Sequence, residues 1–221
     1  MDIAENIKRF KEELGDEVEL VAVSKTKPIA DLQEAYDVGQ RIFGENRPQE
    51  MQEKAEALPK DIEWHMVGHL QSNKVKYIAP FVSMIHSIDK LSTLKEINKR
   101  AKQNERTIKV LLQMHIAEEE SKFGMDEEKL TSFLESEKLK NFEHIKIVGM
   151  MGMATFTDDM DKVRSEFKKL KQIFEQTKTN YFNDDPNFSI LSMGMSSDYQ
   201  IGIEEGSNMV RIGSQIFGAR N

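Results

Sequence analysis

Cysteine is absent from this 221-residue sequence, which excludes disulfides, zinc thiolate sites and thiol nucleophiles together. Also missing is any apolar run near the ~20 residues needed to cross a bilayer, and the N-terminus has no apolar segment of the signal-peptide kind. A soluble, cytoplasmic protein with no membrane partner is therefore expected. Positive charge is scarce: 31 Lys and Arg against 38 Asp and Glu leave a formal net charge of −7. Neutralising a phosphate backbone takes a concentrated basic surface, so no nucleic-acid partner is expected, while a small anionic ligand held by a local cluster remains open. There is no linker, low-complexity segment or charge block that would divide the chain, and residues 1–221 are expected to form a single domain.

What is present is a strict alternation. Ile3, Ile7, Phe10 and Leu14 recur at helical spacing and Gly15 follows, so the chain opens on an amphipathic helix. Strand-like runs at 20–25, 41–44, 63–67, 84–88, 108–114, 145–149, 188–191 and 209–212 then alternate with helical patterns at 29–38, 49–58, 73–78, 91–101, 126–137, 159–179 and 198–203. Asp89 is placed to cap the fourth of those helices. Eight strand candidates, each but the last followed by a helix, predict a parallel sheet closed into a (β/α)8 TIM barrel, with an extra helix in front. An open doubly wound sheet is the alternative, but no Gly-x-Gly-x-x-Gly turn follows the first strand.

The first strand ends in Val21-Ala22-Val23-Ser24-Lys25-Thr26-Lys27-Pro28. Side chains alternate along a strand, so Val21, Val23 and Lys25 share one face and Ala22, Ser24 and Thr26 the other. Pro28 holds Lys27 extended and suits a helix start, leaving Lys25 or Lys27 at the mouth of a βα loop. A lysine among buried neighbours loses solvation, which favours the neutral amine that attacks a carbonyl.

In a barrel of this kind the C-terminal strand ends carry the site, and the loops after strands seven and eight often hold phosphate. Here those loops are Ser192-Met193-Gly194-Met195-Ser196-Ser197-Asp198 and Gly213-Ser214, which combine glycine with hydroxyls and amides able to surround an anion. Arg211 directly precedes the second loop, where a guanidinium could bind phosphate or donate to a ring nitrogen. Facing a pyridine nitrogen, it would keep that nitrogen unprotonated and the ring a poor electron sink. His65 and His69 lack the metalloprotease pattern, and His86, His115 and His144 give no ligand spacing, so no metal is expected. Thirteen methionines are many, and those in 150–153 and 193–195 read as core filling, or as packing for an aromatic ring at the strand ends.

Taken together these segments resemble the YggS/PROSC family of pyridoxal phosphate homeostasis proteins, which is similar to the barrel domain of alanine racemase. The resemblance is carried by Val21 to Pro28, Phe43-Gly44-Glu45-Asn46, Trp64 to Lys74, His86-Ser87-Ile88-Asp89, Gly149 to Met153, Leu191 to Asp198 and Val210 to Gly218. Glu120-Ser121-Lys122-Phe123-Gly124 also matches, with Lys122 a candidate basic contact. The resemblance implies that Lys25 forms a Schiff base with pyridoxal 5′-phosphate, that Ser196, Gly213 and Ser214 hold its phosphate, and that Arg211 contacts the pyridine nitrogen. Asn46, Met66, Ser87 and Met193 fall on motifs that ring the cofactor.

A racemase needs a base on each face of its substrate, and in the racemase family the second is a tyrosine from another domain of the partner subunit. With no second domain expected here, and only Tyr36, Tyr77, Tyr181 and Tyr199 in the chain, the resemblance implies a vitamin B6 homeostasis protein that is not an enzyme. It would hold the cofactor and pass it to apo-enzymes, as a monomer or, alternatively, a dimer. An amino-acid racemase of narrow specificity is the other reading.

Overall fold

Alternation along the first strand decides how the chain is layered. In the computed structural model, which describes residues 2–118 and 123–219, Leu20 and Ala22 pack against the helices. Val21 and Val23 belong instead to a second apolar cluster with Met84, Leu111, Val148, Met151 and Met209. The first cluster fills the layer between strands and helices; the second fills the space the strands enclose. Lys122 lies outside the described residues.

Eight parallel strands close on themselves in sequence order: β1 (Glu19–Val23), β2 (Ile42–Glu45), β3 (Glu63–Met66), β4 (Met84–Ile88), β5 (Ile108–Met114), β6 (Ile145–Gly152), β7 (Ile190–Met195) and β8 (Met209–Ile212). The seam is made by β1 and β8, with Val21 opposite Arg211 and Ala22 opposite Ile212. Around the sheet run α2 (Ile29–Asp37), α3 (Pro48–Ala57), α4 (Val75–Ile78), α5 (Leu91–Gln103), α6 (Glu127–Leu134), α7 (Met160–Tyr181) and α8 (Tyr199–Glu204). The extra helix α1 (Ile3–Leu14) begins where the Asp2 carboxylate accepts the Glu5 N–H and packs Ile3, Ile7, Phe10 and Leu14 against its neighbours. The expected (β/α)8 TIM barrel is therefore the fold.

Four local expectations are corrected. A single turn, α9 (Ser214–Phe217), follows β8, where no helix was expected because four residues are too few for a periodicity. β6 runs on to Gly152, beyond the expected end at 149. β7 likewise continues to Met195; the Met-Gly-Met segment reads as a loop, yet it remains strand past a register shift. Asp89 does not cap α5, whose N-cap is Lys90 without a side-chain bond.

Candidate functional site

At the C-terminal end of the barrel lies a cavity of about 380 Å³, within the size range of small-molecule sites. Lys25 and Lys27 border it from the β1 loop, Asn46 from β2, Met195, Ser196 and Ser197 from β7, and Arg211, Gly213 and Ser214 from β8. Val23, Val67, Met153 and Phe156 supply its apolar walls. The two lysines, the guanidinium and the hydroxyl-rich turns thus converge although they come from opposite ends of the chain.

The side formed by the β7 and β8 turns is built by close backbone approaches. Ser196 Oγ accepts the Gly213 N–H at 3.3 Å, tying the β7 turn to the β8 turn. A Cβ on Gly213 would stand 3.0 Å from the Val23 carbonyl oxygen, so the residue lets β8 press against β1. Gly194 has φ +96, and a Cβ there would meet the Tyr199 Cα at 2.8 Å, which excludes any side chain. Asp198 fastens the same turn by accepting the Met195 N–H at 2.6 Å.

Arg211 forms the floor, 4% exposed. Its Nη1 donates to Ser192 Oγ at 2.7 Å and to the Ser192 carbonyl at 2.9 Å, and its Nη2 to the Gly152 carbonyl at 3.1 Å. Burial lowers its pKa to about 10, with Asp198 opposing, so it stays a cation at neutral pH. Ser192 Oγ also shares a hydrogen bond with His86 Nδ1 at 3.3 Å, and His86 Nε2 shares one with His65 Nδ1 at 3.1 Å. Burial lowers the pKa of His65 to about 3 and drives that of His86 well below the usual histidine range, helped by His65 and Arg211. Both imidazoles are neutral, and the charge in this hydrogen-bonded row sits on Arg211 at the cavity end.

The turn that carries Lys25 is held from outside the barrel. Lys27 N–H donates to the Ser24 carbonyl at 3.0 Å, closing a four-residue turn in which Thr26 takes φ +65. That is the left-handed region glycine usually occupies at this position, and a β-branched residue held there costs on the order of 1–3 kcal/mol. Ser24 Oγ donates to the buried Glu45 at 2.7 Å, and Lys54 of α3, also buried, donates to the same carboxylate oxygen at 2.7 Å. Burial raises the pKa of Glu45, against the pull of Lys54 and Ser24.

Of the residues singled out in the sequence, Lys25, Asn46, Ser196, Arg211, Gly213 and Ser214 border one cavity. Met66, Ser87 and Met193 do not. Met66 and Met193 are fully buried in the layer between strands and helices, one position away from the inward-facing His65 and Ser192. Ser87 is buried outside the lining, and its hydroxyl has no partner among the described residues. The His65–His86–Ser192 chain and the Glu45–Lys54 pair escaped sequence reasoning. Strand alternation carries a signal for both: His65 sits between outward Trp64 and Met66, and Glu45 shares the buried outer face of β2 with Phe43.

Residues 1–221 match the family described as alanine racemase, N-terminal domain. The chain belongs to that family. It is 39% identical over 202 residues to a pyridoxal phosphate homeostasis protein of Aquifex aeolicus, spanning 91% of this chain and 86% of that one. Two structures of PipY from Synechococcus elongatus, at 32% identity, cover 98% of this chain and 100% of theirs. They give TM-scores of 0.90 without PLP and 0.88 with PLP bound. An alanine racemase of Clostridium difficile shares the fold, with a TM-score of 0.77 at 16% identity over 99% of this chain and 57% of that one.

Proposed function

We propose that this protein binds pyridoxal 5′-phosphate reversibly through Lys25 and serves vitamin B6 homeostasis, buffering the cofactor and yielding it to apo-enzymes. The observation that carries this reading is the meeting of Lys25, Arg211 and the Ser196–Gly213–Ser214 turns on one cavity. These groups suit the cofactor chemically: an amine for an aldehyde, hydroxyls and amides for a phosphate, a fixed cation for a ring nitrogen, and methionine and valine for the ring faces. The relatives named as homeostasis proteins and the PLP-bound PipY structure support the same assignment.

When bound, pyridoxal phosphate supplies an aldehyde that condenses with amines and a ring able to accept electrons. Arg211 works against the second property, because a cation held at the ring nitrogen disfavours its protonation. Lys25 is the residue expected to hold and release the aldehyde, and Ser196 and Ser214 to retain the phosphate meanwhile. None of the four tyrosines borders the cavity: Tyr36 bonds Asp61, Tyr181 bonds Glu135, Tyr199 bonds Glu13 and Tyr77 lies beside Pro80 and Phe81. Both points support retention of the cofactor over amino-acid turnover. The racemase reading draws on the shared barrel and on the family match.

Absorption spectra of the purified protein titrated with pyridoxal phosphate, before and after borohydride, test the assignment. A borohydride-sensitive band lost in Lys25→Ala and kept in Lys27→Ala is expected; the reverse pattern transfers the role to Lys27. Steady racemisation of D- or L-amino acids by the loaded protein, well above that of free cofactor, would reject the homeostasis reading.

A further inference from the structure

Lys54 Nζ donates to the Ser24 carbonyl at 2.8 Å and to Glu50 Oε1 at 2.7 Å, and Glu50 Oε1 accepts the Thr26 N–H at 2.6 Å. The two peptides that flank Lys25 are therefore bonded to two side chains one turn apart on α3. Lys54 is only 4% exposed, and its third bond, to Glu45, fixes it behind the strands. A left-handed threonine persists only where its surroundings leave it no alternative, and here its own N–H is bonded to a carboxylate that is itself pinned by an ammonium.

From this geometry we propose that Glu50 and Lys54 are positioning residues for the cofactor amine: from outside the barrel they clamp Ser24 and Thr26, hold the turn left-handed and so aim Lys25 into the cavity. The inference rests on the assignment of Lys25 above and adds the device that orients it. Neither side chain touches the reacting atoms. Without the clamp Thr26 relaxes toward ordinary negative φ, the turn opens and the Lys25 stem leaves the direction set by β1.

The distinguishing experiment pairs the clamp with the strain it opposes. In Glu50→Ala the affinity for pyridoxal phosphate, read from the borohydride-sensitive band, is expected to fall roughly tenfold, while circular dichroism shows the barrel intact. Glu50→Gln keeps an oxygen for the Thr26 N–H and is expected to lose less. Adding Thr26→Gly to Glu50→Ala is expected to restore most of the affinity, since glycine takes the left-handed conformation unaided. A general structural role for Glu50 predicts no such rescue. Affinity of Glu50→Ala within twofold of the parent, or failure of the glycine to restore it, overturns the proposal. Hydrogen exchange of the Thr26 amide in cofactor-free protein separates the two claims. Faster exchange in Glu50→Ala supports the clamp even if the parent takes up no cofactor, and unchanged exchange rejects the clamp even if it does.

Discussion

Nε2 of His86 lies 3.1 Å from Nδ1 of His65 inside the barrel, two neutral imidazoles joined edge to edge and tied through Ser192 to Arg211. A buried pair that stays neutral when its unfolded counterpart takes up protons makes folding sensitive to acid.

Unfolded histidine titrates near 6.5, whereas burial holds His65 at about 3 and His86 well below its usual value. The unfolded chain therefore binds more protons below pH 6.5. Stability linked to this pair is complete above that pH and is lost as pH falls toward 3, by up to about 1.4 kcal/mol per pH unit per histidine. Urea unfolding at pH 7.5, 6 and 5 should show the decline, and His65→Gln should make it shallower. A slope unchanged in that variant counts against the pair as its source.

Replacing Arg211 by Gln removes three bonds from a buried cation to Ser192 and Gly152. Loss of charge-assisted bonds of this kind costs on the order of 1.5–3 kcal/mol, so a lower urea midpoint is expected. If Arg211 faces the ring nitrogen as proposed, the spectrum of bound cofactor should also become pH-dependent in the neutral range. A spectrum as indifferent to pH as the parent's would place Arg211 elsewhere.

The hydroxyls of Ser196 and Ser214 should matter only to ligands bearing a phosphate. Ser196→Ala and Ser214→Ala are each expected to weaken pyridoxal phosphate on the order of tenfold while leaving pyridoxal binding within twofold. Equal losses for both ligands would mean that the serines shape the cavity without touching the anion.

Gly194→Ala forces a side chain onto a φ of +96 and against the Tyr199 backbone. A cost on the order of 1–3 kcal/mol is expected, together with weaker phosphate retention, because Ser196 is carried on the displaced turn. Thermal unfolding and a phosphate competition titration check the two effects together; a variant matching the parent in both removes Gly194 from the cradle.

Much of this was legible along the chain because a strand's period of two is unambiguous when one face lines a barrel and the other meets helices. Val21 and Val23 could be aligned by counting, and the turns after β7 and β8 fell at the same end, but β1 stops at Val23 and Lys25, expected on the same strand face, stands in the turn that follows. The same counting would have excluded Met66 and Met193, whose neighbours His65 and Ser192 own the inward positions. Lys54 was hidden for another reason. Its segment is polar and charged and reads as a solvated helix, and only the buried carboxylate of Glu45, nine positions earlier, requires that ammonium to turn inward. Alternation gives the face on which His65 and Glu45 stand, but not which residue of another element meets them, as His86 meets His65 and Lys54 meets Ser24.

The seam between β1 and β8 has a consequence for the timing of assembly. Lys25 arrives with the first strand and the turns carrying Ser196, Gly213 and Ser214 with the last two, so on the proposed assignment a growing chain carries its aldehyde-binding lysine long before the turns proposed to retain the phosphate exist. If those roles hold, capture must await closure of the cylinder, and a ribosome-bound chain ending short of β7 should take up no more pyridoxal phosphate than an ordinary exposed lysine does.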